Sequence, residues 1–306
     1  MPSRWSTADI PDLRGSVAVV TGGNAGLGLA TVRALAERGA QVVLASRKVE
    51  RGKQSLATLR QGQGGVEVLQ LDLADLGSVR DFAEQVGTRH TRLDLLINNA
   101  GIMMVEPGLT ADGFEHQIGT NHLGHFALTG LLIDLISSTP GARVVTVSSL
   151  AHRWASLDPP RVEQVGPGYG KVQAYGRSKL ANLLFAYDLQ RRVTERGVPV
   201  SSLAAHPGSA GTGLADHLLN GPISGKLRGP LLALITQSPE AGALPTLRAA
   251  TDPGALGGQF YGPDRMREQR GAPVVVTSSP ASYDVRTGRA LWARSEELTG
   301  VEYLSG

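Results

Sequence analysis

The chain has 306 residues, 30 basic and 27 acidic, for a net charge of +3. That length suits one large α/β domain or two small ones. The small, scattered charge does not point to a nucleic-acid partner, and the lack of cysteine excludes disulfides, thiolate catalysis and thiolate-bound zinc. The polar opening MPSRWSTADIPDLRG has no signal-peptide core, and no apolar run reaches the ~18–20 residues of a bilayer span. A cytoplasmic protein without an integral membrane segment is therefore expected.

Strand and helix signals alternate from residue 16 to about 208. SVAVVTG (16–22) is a short apolar run ending in glycine, followed by helical periodicity in LGLATVRALAERG (27–39) and a strand in QVVLAS (41–46). A polar helix, the strand GVEVLQLD (65–72) and a helix over about 76–88 come next. LDLLINNA (93–100) and RVVTVSS (143–149) read as strands separated by a long helical stretch near 111–138. AYGRSKLANLLFAYDLQRR (174–192) reads as an amphipathic helix with Leu180, Leu183, Leu184 and Leu189 on its apolar side. VPVSSLAAHPG (198–208) supplies another strand, at whose end His206 is expected to hydrogen-bond locally. A helix near 239–250 and a strand near GGQFYG (257–262) close the sheet, and ALWARSEELTGVEY packs back as a short helix. Strands that are nearly continuous apolar runs are buried on both faces. Their alternation with helices predicts an α/β fold with a doubly wound, mostly parallel sheet. Residues 1–306 are expected to form a single Rossmann domain, with a small substrate lobe at about 209–237 where glycines and prolines break the rhythm.

The turn between the first strand and helix carries Gly22, Asn24, Gly26, Leu27 and Gly28. Glycines there allow positive φ and close approach of the backbone to a pyrophosphate, which the helix N-terminus attracts. Where an NAD-preferring protein would carry an acid at the end of the second strand, this chain has Ser46, Arg47 and Lys48. A carboxylate repels a 2′-phosphate and a guanidinium binds it, so NADP(H) is favoured over NAD(H). Asp72, beside Leu73, is either an adenine contact or a turn-capping residue.

TGGNAGLG (21–28), NNAG (98–101), SS (148–149), YGRSK (175–179) and HPG (206–208) occur in that order. Together they resemble the short-chain dehydrogenase/reductase family over about residues 14–262. NHLGHFALT (121–129), the long loop from Ser149 to Tyr175, and YGRSKLANLLFA are similar to its retinol-dehydrogenase-like and WW-domain-oxidoreductase-like subgroup. The resemblance implies an NADP(H)-dependent oxidoreductase that interconverts a hydroxyl and a carbonyl. Tyr175 would be the proton donor or acceptor, and Ser149 would hold the substrate oxygen. Lys179 would bind the nicotinamide ribose and lower the tyrosine pKa, with Asn121 continuing a proton relay. Asn99, Ala100 and Gly101 would line the cofactor cleft, and Pro207, Gly208 and Thr212 its carboxamide end. The Leu- and Ile-rich lobe suggests an apolar small-molecule substrate, and family members pair through long central helices, so a homodimer or homotetramer is expected. The competing reading is a non-catalytic NADP(H)-binding sensor or scaffold on the same fold.

Electrostatics makes the tyrosine role feasible. Free tyrosine ionises near ~10. A lysine cation ~4 Å away, at an effective dielectric of ~20, contributes roughly 4 kcal/mol, on the order of a thousandfold in the ionisation equilibrium. Tyr175 and Lys179 are four apart and so share one helix face. His122 and His125 are three apart, but no third ligand has suitable spacing, and no metal is expected.

Overall fold

A computed structural model describes residues 4–57, 64–166, 168–209 and 237–304. The lobe at about 209–237, apart from its end residues Ser209 and Gln237, lies outside the described residues, and so does Thr212.

The strands β1 (Val17–Thr21), β2 (Gln41–Ser46), β3 (Val66–Gln70), β4 (Leu95–Asn98), β5 (Ala142–Val147), β6 (Val200–Ala205), β7 (Phe260–Arg265) and β8 (Arg270–Val275) form one sheet in the order β3-β2-β1-β4-β5-β6-β7-β8. The first seven run parallel and β8 is antiparallel to β7. The chain leaves β1 toward one edge and crosses back at β4 toward the other. This places a crevice at the carboxyl ends of β1 and β4.

Each central strand feeds both faces. Val19, Val43, Leu96 and Val144 join one core with Phe82, Phe126 and Phe185, while Ala18, Val20, Leu44 and Ile97 join another with Val32, Leu35 and Leu247. The helices on the first face include α3 (Leu76–Arg89), whose first amides are capped by Asp75, and α7 (Lys171–Glu195). On the second face lie α1 (Gly26–Glu37) and α8 (Pro239–Thr251), the latter opened by Ser238 and Pro239. α2 (Val49–Leu56) follows β2.

Three elements differ from the expectation. The stretch near 111–138 is not one helix: a short α4 (His116–Ile118) runs into a π-helical turn over Gly119–Leu123, then α5 (Gly124–Leu131), then α6 (Ile133–Ser137) after an interruption at Leu132. The closing strand near 257–262 starts at Phe260 and is followed by β8, which the sequence hid because Pro263 pairs with Pro273. Prolines are tolerated there because β8 is an edge. The tail helix α9 (Val285–Thr299) is longer than expected, capped by Asp284 at the front and by left-handed Gly300 at the end.

α9 covers the outer faces of α5 and α7. Trp292 packs 5.0 Å edge-on from Phe126, 5.8 Å from Phe185 and 4.7 Å from Tyr303, with the Arg192 guanidinium 4.1 Å from its ring. Leu180 and Leu184 cluster with Leu291 and Ile118. The leucine side of α7 is thus buried within the chain. Among the described residues no helix is long and apolar enough to cross a membrane.

Trp292→Ala is expected to cost about 3–5 kcal/mol, because it empties the centre of this aromatic cluster. Urea unfolding would show a lower midpoint at unchanged slope.

Candidate active site

A cleft of about 610 Å³ opens at the carboxyl ends of β1, β2, β4 and β5. One end is the glycine-rich turn. Gly22 and Gly26 have φ of 66° and 52°, and α1 starts without a side-chain cap, leaving its first amides to the cleft. A Cβ on Gly28 would strike the Gly22 carbonyl and come within 2.7 Å of Asn99 Nδ2. A Cβ on Gly22 would lie 3.1 Å from Ala100. These glycines therefore let the turn, α1 and the Asn99–Ala100 segment pack closely, with the uncapped helix N-terminus at the cleft, and the residues present fit a dinucleotide. Asn24, Leu27, Asp72 and Leu73 line the cleft with them.

The cleft floor is held by Thr21. Its Oγ1 accepts from the amides of Asn99 and Ala100, each at 2.9 Å, and its carbonyl accepts from Asn99 Nδ2 at 2.7 Å. The same hydroxyl lies 2.8 Å from His125 Nε2, whose Nδ1 contacts the Asn121 carbonyl at 3.0 Å. Burial drops His125 to about 4 and His122 to about 3, and His122 Nε2 is engaged by Ser295 at 3.0 Å. Both imidazoles serve packing and hydrogen bonding.

At the end of β2, Ser46 is buried and its hydroxyl donates to the Lys48 carbonyl at 3.2 Å. Arg47 and Lys48 are exposed on the cleft wall, joined by Arg51, which sequence reasoning missed. Its signal was present: Arg51 follows Arg47 by four residues, about one helical turn. Asp72 Oδ1 accepts from Ala74 N at 3.0 Å. It thus caps a turn while lining the cleft.

The other end of the cleft holds Tyr175 and Lys179. α7 is stitched to β5 by three buried bonds: Ser148 Oγ donates to the Lys179 carbonyl (2.8 Å), and Lys179 Nζ and Asn182 Nδ2 both donate to the Val147 carbonyl (3.1 and 3.0 Å). The π-helical turn aims Asn121 between two elements. Its Oδ1 accepts from Ile102 N (2.8 Å), and its Nδ2 donates to Ile102 O and to Ser178 Oγ, both at 2.9 Å. Ser178 in turn donates to the Tyr175 carbonyl at 2.8 Å. Gly101 leaves the gap between these groups, since a Cβ there would lie 3.1 Å from Asn121 Oδ1 and 3.3 Å from Lys179 Nζ.

The electrostatics depart from the expected lowering of Tyr175 by Lys179. Burial pushes the tyrosine hydroxyl above its ordinary range, and a hydrogen bond from Ser149 pulls it back in part. Lys179 Nζ lies 5.7 Å from the Tyr175 ring centroid. Burial also drops Lys179 itself to about 8. The lysine is a weaker cation than a solvated one and spends a proton on Val147, so desolvation dominates both groups.

Ser149 lies beside Tyr175 rather than in the cleft wall, and its side chain also accepts from Ala151 N at 3.3 Å. Pro207 reaches the wall. Gly208 does not. At φ 67° it turns its open side onto the Gln269 carbonyl, against the β7–β8 hairpin.

A family model described as short chain dehydrogenase matches residues 16–221. The chain belongs to the short-chain dehydrogenase/reductase family. It is 37% identical to retinol dehydrogenase 13 of Homo sapiens over 97% of this chain and 87% of that one. It is 36% identical to polyprenol dehydrogenase of Danio rerio over 96% and 90%. The crystal structure of an uncharacterised protein from Mycobacterium paratuberculosis is similar at 42% identity and a TM-score of 0.83, covering 98% of this chain and 99% of that one. The protein is a short-chain dehydrogenase/reductase of the retinol-dehydrogenase-like subgroup that interconverts hydroxyl and carbonyl groups with a nicotinamide dinucleotide.

Gly28→Ala is expected to weaken dinucleotide binding by about 100-fold or more, because the backbone approach it blocks has no side chain to move aside. Fluorescence titration with NADPH measures the loss.

Proposed function

We propose that the protein is an NADP(H)-dependent oxidoreductase acting on an apolar alcohol or its carbonyl, with Tyr175 as acid/base. The observation that carries this reading is Tyr175 and Lys179 at one end of a cleft whose other end carries the glycine-rich turn, with Ser149 beside Tyr175 and Asn121 bonded to Ser178 behind them. When bound, the nicotinamide supplies or accepts the hydride.

The residues divide the remaining work. Ser149 donates to the substrate oxygen and to the developing charge on it. Tyr175 gives its phenolic proton to that oxygen during reduction and takes it back during oxidation. A phenol held high by burial favours the acid role, which suits carbonyl reduction. Lys179, one proton on Val147 O, has two left for ribose hydroxyls. Asn121 ties Ile102 to Ser178 of α7, the residue next to Lys179.

Arg47, Lys48 and Arg51 support NADP(H). They form a cationic rim at the end of β2, and Ser46 stands where a carboxylate would select NAD(H). An apolar substrate is supported by Ile102 and Met103 in the wall and by relatives whose names specify retinol and polyprenol.

The direct test is NADPH oxidation with a panel of all-trans-retinal, farnesal, decanal and benzaldehyde. Absence of turnover with all four, despite tight NADPH binding, would favour a sensor or scaffold. Tyr175→Phe should lower kcat by about 10²–10⁴-fold and leave NADPH affinity nearly unchanged; retained turnover removes the acid/base assignment.

The pH profile follows from Lys179, which is cationic below about 8 and neutral above it. In the reducing direction Tyr175 must also keep its proton. Both requirements have the same sign, so kcat/KM is expected to fall as pH rises through ~7 to ~9. A flat profile would show that neither group limits the free enzyme.

The Arg47→Asp/Arg51→Asp double variant should move cofactor preference toward NADH by about 100-fold or more, since two charge-assisted bonds worth ~1.5–3 kcal/mol each are lost. Comparison of kcat/KM with NADPH and NADH reads it.

A further inference from the structure

The hairpin between β7 and β8 turns through three consecutive non-glycine residues in the left-handed region: Met266 (φ 51°), Arg267 (φ 55°) and Glu268 (φ 65°). Such a run persists only where its surroundings fix it. The Glu268 carboxylate supplies two anchors. Its Oε1 accepts from Arg153 Nη2 at 2.7 Å, and its Oε2 accepts from His206 Nε2 at 3.0 Å. His206 is fully buried, and its Nδ1 accepts from Gly208 N at 3.2 Å, so the ring proton sits on Nε2 and points at Glu268. The local contact expected for His206 is therefore joined by one 62 residues away.

The two anchors belong to the two sides of the reaction centre. Arg153 lies in the single 3₁₀ turn Leu150–Trp154, which Ser149 caps. In the same turn, His152 Nδ1 donates to the Ser149 carbonyl at 2.6 Å and its Nε2 accepts from Ser279 N at 3.0 Å. His206 immediately precedes Pro207 of the cleft wall, and Ser209 N donates to the Gln269 carbonyl at 3.0 Å.

We propose that Glu268 is a positioning residue. Its carboxylate ties the segment carrying Ser149 to the segment carrying Pro207, and so fixes the separation between the substrate-oxygen donor and the cofactor wall. The residue lies beyond the 16–221 stretch matched by the family model. The proposal rests on Ser149 and Tyr175 being the reacting pair, and a 1 Å displacement of such a pair is enough to cost about 100-fold.

Kinetics of the full chain with NADPH and the best-reduced aldehyde of the panel test it. Glu268→Gln and Arg153→Met, the latter cutting the same link from its more exposed end, are each expected to lower kcat by about 10-fold or more. NADPH affinity should stay within about twofold, and Glu268→Asp should recover part of the loss. Arg153 Nη2 also donates to the Thr277 carbonyl at 3.1 Å, a bond that Arg153→Met removes as well, so the shared Glu268 link is read from the double variant, whose loss should be smaller than the product of the two singles. Wild-type kcat in Arg153→Met overturns the proposal, as does a double variant whose loss is the product of the two. Ser149→Ala separates the two levels. If it retains full turnover, the reacting-pair reading fails; if it is inactive while the Glu268 and Arg153 variants turn over normally, only the positioning role fails.

Discussion

The carbonyl of Val147 is the point on which the site depends. It ends β5 and accepts from both Lys179 and Asn182 on α7. One sheet terminus thereby fixes the height and rotation of a 25-residue helix. Among the described residues no carboxylate pairs with the buried Lys179, so its charge is costly, and burial drops it to about 8. A lysine in that state holds its place only through the geometry of its donors. Ser148 returns a bond to the Lys179 carbonyl, so the pairing is reciprocal and the register between strand and helix cannot slip without losing all three bonds.

Much of this was legible because the parallel sheet is built from local signals. VAVVT and QVVLAS are fully or nearly fully buried strands, and Gly22 and Gly26 after β1 adopt the positive φ that their position in the turn implies. Tyr175 and Lys179 share a face because helical spacing requires it. What escaped depends on contacts between residues far apart in sequence. Ser178, bridging Asn121 to the Tyr175 backbone, meets its partner across 57 positions, and Glu268 meets Arg153 across 115. No periodicity encodes such pairs. β8 was hidden by its proline, Pro273, and the start of α9 by the polar run VRTGR. The sign of the Tyr175 perturbation was misjudged for a related reason. Spacing gives the distance to Lys179, but only the packed structure gives the desolvation that opposes its effect.

The departure from a regular helix at Gly119–Leu123 has a specific consequence. A π-helical turn inserts one residue into the ladder and rotates the next turn about the helix axis. Here it lets one carboxamide reach both Ile102 and Ser178 while the Asn121 carbonyl is taken up by the His125 ring. That ring passes the constraint to Thr21, which holds the Asn99 and Ala100 amides at the cleft floor. The distortion is thus tied at every end to a wall of the cleft, as expected for backbone irregularity retained at a functional site.

α9 completes the same logic from outside. Tyr175 and Lys179 occupy the first turns of α7, whereas Trp292, Arg192 and Tyr303 clamp its second half. A long helix held at only one end can pivot, and a small pivot would swing the tyrosine hydroxyl away from Ser149. With Val147 fixing one end and the aromatic cluster the other, the helix has no free end to move. Leu180 and Leu184 add to this hold by packing against Leu291 of α9 and Ile118 of α4, so the helix that carries Tyr175 is braced by the chain's own tail.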